Sequence, residues 1–452
     1  MMIIAKFGGT SMEDAAAMAR CATIIADQPQ QRVIVVSATA GTTELLLGLI
    51  REAGAGRMRQ VELGLTALRE RHLAIADDLD IDAVERQALL AIIDRISGLC
   101  RGIGLLNEAT ARVTDNLLGQ GERLSSILFA RALKNVGLPT RVLDASSVIR
   151  TDNHFGQADP QIDQIRLLAH EHLLPLAEEG HVVTQGFVGG TAEGVPTTLG
   201  RGGSDYSAAL LAEAVGAEHV NIWTDVPGIA TTDPGLIDGT RTIAELSFAE
   251  AAELAVYGAR VLHPATLWPA IRESIPVFVG SSQEPELGGT WIRPEVTDNF
   301  RGLRAMAVRR NQKLITITSM RMLHTPGFLA RIFTILAEHR ISVDMLTTSE
   351  ISVSLTIDEP VRFTPEVAAE LGAFAEVRIE EDLALVALIG NGINRIAGVA
   401  SQVFGLLDNT NVRLICQGAS DFSIGLLLDG REVREVLTRI HGALLVDQEV
   451  AV

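Results

Sequence analysis

An α/β fold with a largely parallel central sheet, followed by two small α+β units, is the architecture this sequence predicts, and three observations predict it. From residue 1 to about residue 280, short aliphatic runs alternate with longer amphipathic segments, the pattern of parallel strands joined through helices. Between Gly280 and Gly302 the periodicity is lost and prolines, glycines and acids collect, as in Gln283-Glu284-Pro285-Glu286 and Arg293-Pro294, which marks the main domain boundary. Beyond it the chain repeats itself. Gly398 follows Gly327 at an offset of 71 that holds for about 30 residues, a period suited to a duplicated small domain rather than a solenoid unit. The domains then read 1–295, 305–380 and 381–452.

The first element is Met2 to Phe7, apolar and β-compatible; from Met12 to Ile25 alanines and aliphatics recur at helical spacing, with Thr10 or Ser11 as the expected N-cap. Between them, Ala5-Lys6-Phe7-Gly8-Gly9-Thr10-Ser11 places a lysine and two glycines where a strand becomes a helix. Free N–H groups at a helix start attract anions, and glycine lets a phosphate approach the backbone. Lys6 supplies a point charge able to follow a phosphoryl group as it moves. Further strands are predicted at Arg32 to Ser37, Thr140 to Leu143, His181 to Gln185, His219 to Thr224 and Ile275 to Val279. Residues 57 to 135 read as nearly all helical, with Leu63, Leu68, Leu89, Ile92, Ile93 and Ile96 among the apolar positions, an excursion from the sheet. Neither G-x-x-x-x-G-K-[ST] nor a true G-x-G-x-x-G occurs, so a kinase here is not of the P-loop type. Gly390-Asn391-Gly392 lacks the third glycine, Arg395 standing in its place, and reads as a loop.

In the duplicated region Phe333 falls on Phe404, Leu336 on Leu407, Ile341 on Val412, Val343 on Leu414, Ser349 on Ser420 and Leu355 on Leu426. Each copy reads strand, loop, helix, strand, turn, strand. The apolar positions match and the polar ones do not: Asp344 faces Ile415 and His324 faces Arg395. Two copies sharing a core but differing in polar lining suggest that one kept a ligand site, although duplication for stability alone gives the same pattern.

Composition narrows the function. A formal net charge of -18 disfavours nucleic acid and anionic membrane surfaces as partners. Cys21, Cys100 and Cys416 are too few and too scattered for a disulfide framework or a zinc cluster, which fits a reducing cytoplasm. No apolar run reaches the roughly 18 residues of a membrane span. His170-Glu171-His172 does not make a metal site, because i and i+2 positions point to different faces of a helix; no metal ligand set is expected.

Four further motifs join the first, each just past a strand end. Ser37-Ala38-Thr39-Ala40-Gly41-Thr42-Thr43 follows one strand, and Gly119-Gln120-Gly121-Glu122 opens a helix through Leu124 to Leu133. Gly200-Arg201-Gly202-Gly203-Ser204-Asp205 precedes the helix Tyr206 to Val215, with Ser204 or Asp205 as the natural cap, and Trp223-Thr224-Asp225-Val226-Pro227-Gly228 turns sharply after a strand. In this order Lys-Phe-Gly-Gly-Thr-Ser, Gly-Arg-Gly-Gly-Ser-Asp and Trp-Thr-Asp-Val-Pro-Gly resemble the aspartokinases, over essentially the whole chain. The resemblance implies the three-layer amino-acid kinase fold with tandem C-terminal ACT domains. It implies transfer of phosphate from ATP, with Mg²⁺, to the β-carboxylate of L-aspartate, giving 4-phospho-L-aspartate, the first step toward lysine, threonine and methionine. It also implies pairing through the ACT domains into a dimer or larger homo-oligomer.

The residues fit that chemistry. A carboxylate acceptor is already ionised near pH 7, so the obstacle is bringing two anions together rather than removing a proton. Arg201 can hold the α-carboxylate in a bidentate pair and Glu122 can accept from the ammonium. The family reading makes Lys6 and Asp205 catalytic and assigns the substrate to Thr43, Glu122, Arg201, Gly202, Gly203 and Ser204. It assigns ATP to Lys6, Phe7, Gly8, Gly9, Ser37, Thr224, Asp225 and Arg260, with Mg²⁺ held mainly by phosphate oxygens and water. Three positions depart from the family: Ala230 replaces its common tyrosine, Gly235 an arginine and Arg260 a lysine. They keep open a sensor whose kinase domain has weakened, and the fold alone keeps open another acceptor. In the first repeat, Met322-Leu323-His324, Gly327-Phe328-Leu329 and Ser342-Val343-Asp344 resemble the lysine-sensitive, monofunctional branch most. The effector set implied is Met322, His324, Thr325, Phe328, Leu329, Ser342, Val343, Asp344, Thr348, Ser349 and Glu350, with L-lysine as ligand.

Overall fold

The computed structural model describes residues 2–258, 264–296, 302–323, 325–358, 363–407 and 409–446. Contacts group the chain into two compact units. One comprises Met1–Ile229, Thr242–Phe248 and Val261–Thr297; the other comprises Ala230–Arg241, Ala249–Arg260 and Asp298–Val452. Two segments from the first part of the sequence thus cluster with the C-terminal unit. Ile237 is buried in that unit's core, and Glu250 is fully buried against Arg304 at 3.0 Å. Among the described residues no helix is long and apolar enough to cross a membrane.

The first unit is built on an eight-stranded sheet. In chain order its strands are β1 (Ile3–Phe7), β2 (Gln31–Val36), β3 (Thr140–Leu143) and β4 (His181–Gln185), then, after the hairpin β5 (Val188–Gly190) and β6 (Pro196–Thr198), β7 (His219–Thr224), β8 (Glu245–Ser247), β9 (Val277–Ser281) and β10 (Gly289–Arg293). The spatial order is β3-β4-β2-β1-β7-β9-β10-β8, parallel throughout except for the antiparallel pair β9 and β10. The strands predicted from aliphatic runs are present, the last displaced by two residues to Val277–Ser281. β1, β2 and β4 are buried nearly throughout, as befits strands covered on both faces.

The helical excursion consists of Met58–Asp78, Ala83–Leu106, Ala111–Leu118 and Gln120–Asn135, and its Leu68, Leu89, Ile93 and Ile96 join one core with Phe7, Val36 and Phe129. Leu63, expected among the apolar positions, is instead 66% exposed; Met58–Asp78 buries Val61, Leu68, His72 and Ile75 on its inner face. The first helix also differs from expectation. Thr10–Met12 forms a separate 3-10 turn, and the α-helix begins at Ala15 with Asp14 as its cap, accepting from the Ala17 N–H at 2.7 Å. Ser11 is turned inward to share a hydrogen bond with Ser282 at 2.7 Å.

The second unit holds an antiparallel six-stranded sheet in the order β12-β13-β11-β14-β16-β15, comprising β11 (Ala305–Thr318), β12 (Met345–Thr348), β13 (Ser352–Asp358), β14 (Glu376–Ile389), β15 (Leu414–Gln417) and β16 (Ser423–Asp429). β11 and β14 are 14 residues each and pair along both halves, with a register irregularity between Arg309 and Leu314. Asn311 and Asp382 take left-handed conformations at this irregularity, φ 59 and 58, and are separated by the repeat offset. Each copy therefore lends a half-strand to the other: Ala305–Arg309 pairs with the second copy's Leu385–Ile389, and Glu376–Glu380 with the first copy's Leu314–Thr318. Gly327 and Gly398 open the corresponding helices Phe328–Glu338 and Val399–Gly405 at φ 84 and 88, where a side chain would be strained.

The pairing corrects two equivalences drawn from the ungapped repeat, Val343 on Leu414 and Asp344 on Ile415. Met345 pairs with Thr356 and Leu414 with Leu427, and the Asp344 and Arg413 N–H groups donate to the carbonyls of these same partners at 2.9 and 2.8 Å. In the second copy the loop before this strand is two residues shorter and the turn after it two residues longer. The counterpart of Asp344 is therefore Arg413, not Ile415.

Candidate active site

Strand order reverses at β1, with β2, β4 and β3 on one side and β7 and β9 on the other, and open α/β sheets bind ligands beyond strand ends at such a point. A cavity of about 370 Å³ opens there. It is lined by Lys6 and Gly9 from the end of β1, the segment Ser37 to Gly41 with Thr43 and Glu44 beyond β2, Glu122, Phe187 beyond β4, and Gly200 to Asp205.

Lys6 is 8% exposed, and its Nζ lies 2.5 Å from Oδ1 of Asp205. Asp205 sits in the first turn of the helix Gly203–Val215, whose N-cap is Gly202 at φ 73 with no side-chain cap. The expected caps Ser204 and Asp205 are inside the helix because Gly200 and Gly202, both left-handed, turn the chain earlier. A Cβ on Gly203 would stand 3.1 Å from Phe187 Cα, and one on Gly186 2.7 Å from Ser204 Cα. Glycine is what lets this helix start seat against the end of β4.

The second wall, Ser37 to Thr43, is braced from outside the motif. Gly41 takes φ 75 and heads the helix Thr42–Gly54. Thr39 Oγ1 lies 2.6 Å from Thr42 Oγ1 and 3.3 Å from His72 Nε2, and His72 Nδ1 is 2.8 Å from the Leu68 carbonyl. A carbonyl only accepts, so Nδ1 carries the proton and Nε2 accepts from Thr39. Burial pushes the His72 pKa down to about 4, which keeps the ring neutral. The neighbouring Arg71 donates to the carbonyls of Ala40 and Glu13.

Glu122, in the first turn of Gln120–Asn135, is 4% exposed. Burial raises its pKa to about 7, against the opposing pull of its own and Ala38's backbone N–H groups. That helix lies close on the second wall: a Cβ on Gly121 would be 3.0 Å from Ala38 Cβ, and Ser125 Oγ donates to the Ser37 carbonyl at 2.7 Å. Arg201 is exposed and has no carboxylate partner among the described residues.

Lys6, Gly9, Ser37, Thr43, Glu122, Arg201, Gly202, Gly203, Ser204 and Asp205 are thus brought together. Phe7, Gly8, Thr224 and Asp225 do not line the cavity. The Phe7 side chain is fully buried between Phe129 and Trp223, at ring distances of 5.4 and 6.4 Å, and the Gly8 N–H donates to the Trp223 carbonyl at 3.1 Å. Thr224 donates to Asp225 at 3.1 Å past the end of β7. Arg260 lies outside the described residues. Sequence reading passed over Phe187, which takes φ 68, rare for an aromatic residue; a bulky residue following Gly186 at a strand end was the available signal. Arg71, His72 and Asp115 carried no motif. Asp152, His154 and Asp159 group as ligand-type side chains but are partly or fully exposed and outside the cavity lining.

The implied effector residues form two groups in the first repeat. Met322 and Thr325 lie between β11 and the helix that Phe328 and Leu329 open, and the Ser319 N–H donates to the Ile351 carbonyl at 2.8 Å, tying this loop to the turn after Thr348 that bears Ser349 and Glu350. Ser342, Val343 and Asp344 lie at the other end of β12, where Asp344 accepts from Arg309 at 2.8 Å. His324 lies outside the described residues.

The sequence profile of the amino acid kinase family matches residues 1–281, and that of the ACT domain matches 315–361 and 386–444. The chain is 45% identical to lysine-sensitive aspartokinase 3 of Escherichia coli over 98% of its own length and 99% of that protein's. It is 34% identical to chloroplastic aspartokinase 2 of Arabidopsis thaliana, over 97% and 84%. The crystal structure of the E. coli aspartokinase III complex with aspartate and ADP, in the R-state, superposes with a TM-score of 0.86 at 44% identity, covering 98% of this chain and 99% of that one. The T-state complex of that enzyme with lysine and aspartate gives 0.83 at 45% identity, with the same coverage. By sequence and by fold, this chain belongs to the aspartokinases of the amino acid kinase family.

Proposed function

We infer that this chain is an aspartate kinase, transferring the γ-phosphoryl group of ATP to the β-carboxylate of L-aspartate. The observation that carries the reading is the meeting of buried Glu122 with exposed Arg201, which has no carboxylate partner among the described residues, on the walls of the cavity that holds Lys6. A free α-amino acid presents an ammonium and a carboxylate at fixed separation, which these two groups complement. The β-carboxylate is then directed toward Lys6, whose ammonium offsets the charge shared between acceptor and transferring phosphoryl group. Asp205 fixes the ammonium in place at 2.5 Å. Mg²⁺ would be held mainly by the phosphate oxygens of ATP and water, and glycine at position 9, in the cavity lining, leaves the backbone accessible to those phosphates. No general base is required. The three cysteines are free, in keeping with a cytoplasmic enzyme.

Regulation by L-lysine belongs to the same reading, and the two effector groups favour a site completed by a second copy. Asp344 and Ser349 flank the edge strand β12 at opposite ends, roughly 16 Å apart at about 3.3 Å per residue. One lysine does not span them. Antiparallel pairing of two β12 edges would bring the Asp344 end of one copy to the Ser349 end of the other, and would cover Leu346, which is exposed on this edge. The deciding experiment is ADP release from MgATP with aspartate, repeated with glutamate and with lysine added. Turnover with aspartate, none with glutamate and inhibition by lysine are expected; equal turnover with glutamate would overturn the acceptor assignment.

A further inference from the structure

We propose that Asp115, which does not touch the cavity, is a positioning residue for the amino-acid substrate, holding in register the two walls that carry Arg201 and Glu122. The proposal rests on the reading of those two residues as the amino-acid clamp. Asp115 belongs to the short helix Ala111–Leu118 and is 1% exposed. Its Oδ2 accepts the N–H groups of Gly156 and Thr198, each at 2.9 Å, and its Oδ1 accepts the Thr198 hydroxyl at 2.8 Å. Among the described residues it has no cationic partner, and burial raises its pKa. A carboxylate kept in the interior on hydrogen bonds alone is costly, and a carboxylate is the side chain that offers acceptors only, enough to fix three donors at once.

What those donors belong to gives the residue its role. Thr198 ends β6, two residues before Gly200 and three before Arg201. Gly156 belongs to the loop on which Gly200 rests: a Cβ on Gly200 would lie 3.3 Å from Gln157 Cγ and 3.5 Å from the Gly156 carbonyl. The Ala158 N–H donates to the Thr198 carbonyl at 2.9 Å, so loop and strand are joined twice. Arg201 is exposed and without a carboxylate partner among the described residues, so its guanidinium is aimed by its backbone. The same Asp115 accepts the Gly119 N–H through its main-chain carbonyl at 3.0 Å, at the junction that opens the helix bearing Glu122. The Gly119 bond is the ordinary i−4 bond of a helix end; it is the Asp115 carboxylate that ties this helix, and with it the start of the helix bearing Glu122, to the strand leading to Arg201.

The test is steady-state kinetics of the full chain with Asp115→Ala, Asp115→Asn, Arg201→Ala and the double variant Asp115→Ala/Arg201→Ala. Asp115→Ala is expected to raise the aspartate KM about tenfold or more while kcat and the ATP KM stay within about threefold. Asp115→Asn, which keeps the shape and one acceptor oxygen, is expected to recover most of that loss. In the Arg201→Ala background Asp115→Ala is expected to add less than about twofold, because the group it aims is gone. The proposal is overturned if the folded Asp115 variants leave the aspartate KM unchanged while Arg201→Ala raises it. Equal damage to both substrates, or a fully additive double variant, overturns it too. If Asp115→Ala does not fold, Thr198→Val, which removes the hydroxyl that donates to Asp115, carries the same comparisons in its place. An unchanged aspartate KM in Arg201→Ala alone refutes the clamp itself, a distinct outcome.

Discussion

Lys6 Nζ stands 2.5 Å from Asp205 Oδ1, a close ion pair joining the end of a central strand to the first turn of the helix Gly203–Val215. Both side chains are nearly enclosed, so neither charge is tolerated without the other. Lys6→Ala is expected to lower kcat by several orders of magnitude while the aspartate KM changes only a fewfold, because the ammonium acts mostly as the phosphoryl group transfers. Asp205→Asn keeps the shape but loosens the lysine, and should lower kcat by about 10- to 100-fold. Rapid-quench single turnovers check both; an undiminished chemical step in Lys6→Ala would remove the lysine from the mechanism.

Glu122 makes aspartate binding sensitive to pH. Its pKa is raised by burial to about 7, and it must be ionised to receive the substrate ammonium. Binding therefore releases a proton at neutral pH, and kcat/KM for aspartate should fall about tenfold per unit of pH below 7. Glu122→Gln should flatten that profile at a much higher KM. A wild-type profile that is level from pH 6 to 8 would show that Glu122 is not the receptor.

The same residue and His72 pull stability in opposite directions. Glu122 titrates higher folded than unfolded, so its contribution falls as pH rises from about 4.5 to 7, on the order of 3 kcal/mol. His72 titrates lower folded than unfolded, so stability is lost as pH falls from 6.5 to about 4. Between about pH 4.5 and 6.5 the two slopes nearly cancel. Glu122→Gln should leave a Tm that rises with pH in this window and be more stable than the parent at pH 8, whereas His72→Gln should leave one that falls. Parallel Tm profiles for the two variants would refute the assignment.

Much of the site was legible because its determinants are local. Lys6, the glycines at 9, 202 and 203, Glu122 and Arg201 each stand where a strand or turn meets a helix, and residue type there is dictated by phosphate, close approach or charge. His72 and Asp115 act from other helices through hydrogen bonds to residues distant in sequence, and nothing adjacent in sequence marks their partners. The capping of Gly203–Val215 was misread because Ser204 and Asp205 are good caps, but Gly200 and Gly202 turn the chain first. The two-residue slip that pairs Asp344 with Arg413 was hidden because an apolar residue fits either alignment: Val343 and Met345 both suit a core facing Leu414.

Ala230 and Gly235 give a prediction about nucleotide rather than acceptor. Gly235 has ordinary negative φ, and its N–H already donates to Asp233 at 2.8 Å, so a side chain is accommodated once the nearby carboxylate moves a few tenths of an ångström. Ala230→Tyr with Gly235→Arg should lower the ATP KM and leave the aspartate KM within about twofold. A neutral double variant would show that adenine is held without these positions.

The regulatory prediction turns on the reversal of charge between the repeats. In the first, Asp344 accepts from Arg309 at 2.8 Å; at the equivalent places in the second, Glu380 and Arg413 pair at 3.2 Å with the signs exchanged. At the end of β12 where Asp344 stands, only the first repeat therefore places a carboxylate for a ligand's second ammonium, the second repeat placing Arg413 there, and Arg309 is the cation that such a ligand must displace or join. L-lysine carries that second ammonium and threonine does not. A coupling of about 1 to 3 kcal/mol between this site and the catalytic one gives roughly 5- to 150-fold inhibition. Asp344→Ala should abolish lysine inhibition while leaving uninhibited turnover unchanged, and Arg413→Ala should leave the lysine response intact. Lysine titrations of ADP release, with sedimentation velocity run in parallel, decide it: inhibition by threonine but not by lysine, or full lysine sensitivity in Asp344→Ala, would assign the first repeat to another effector.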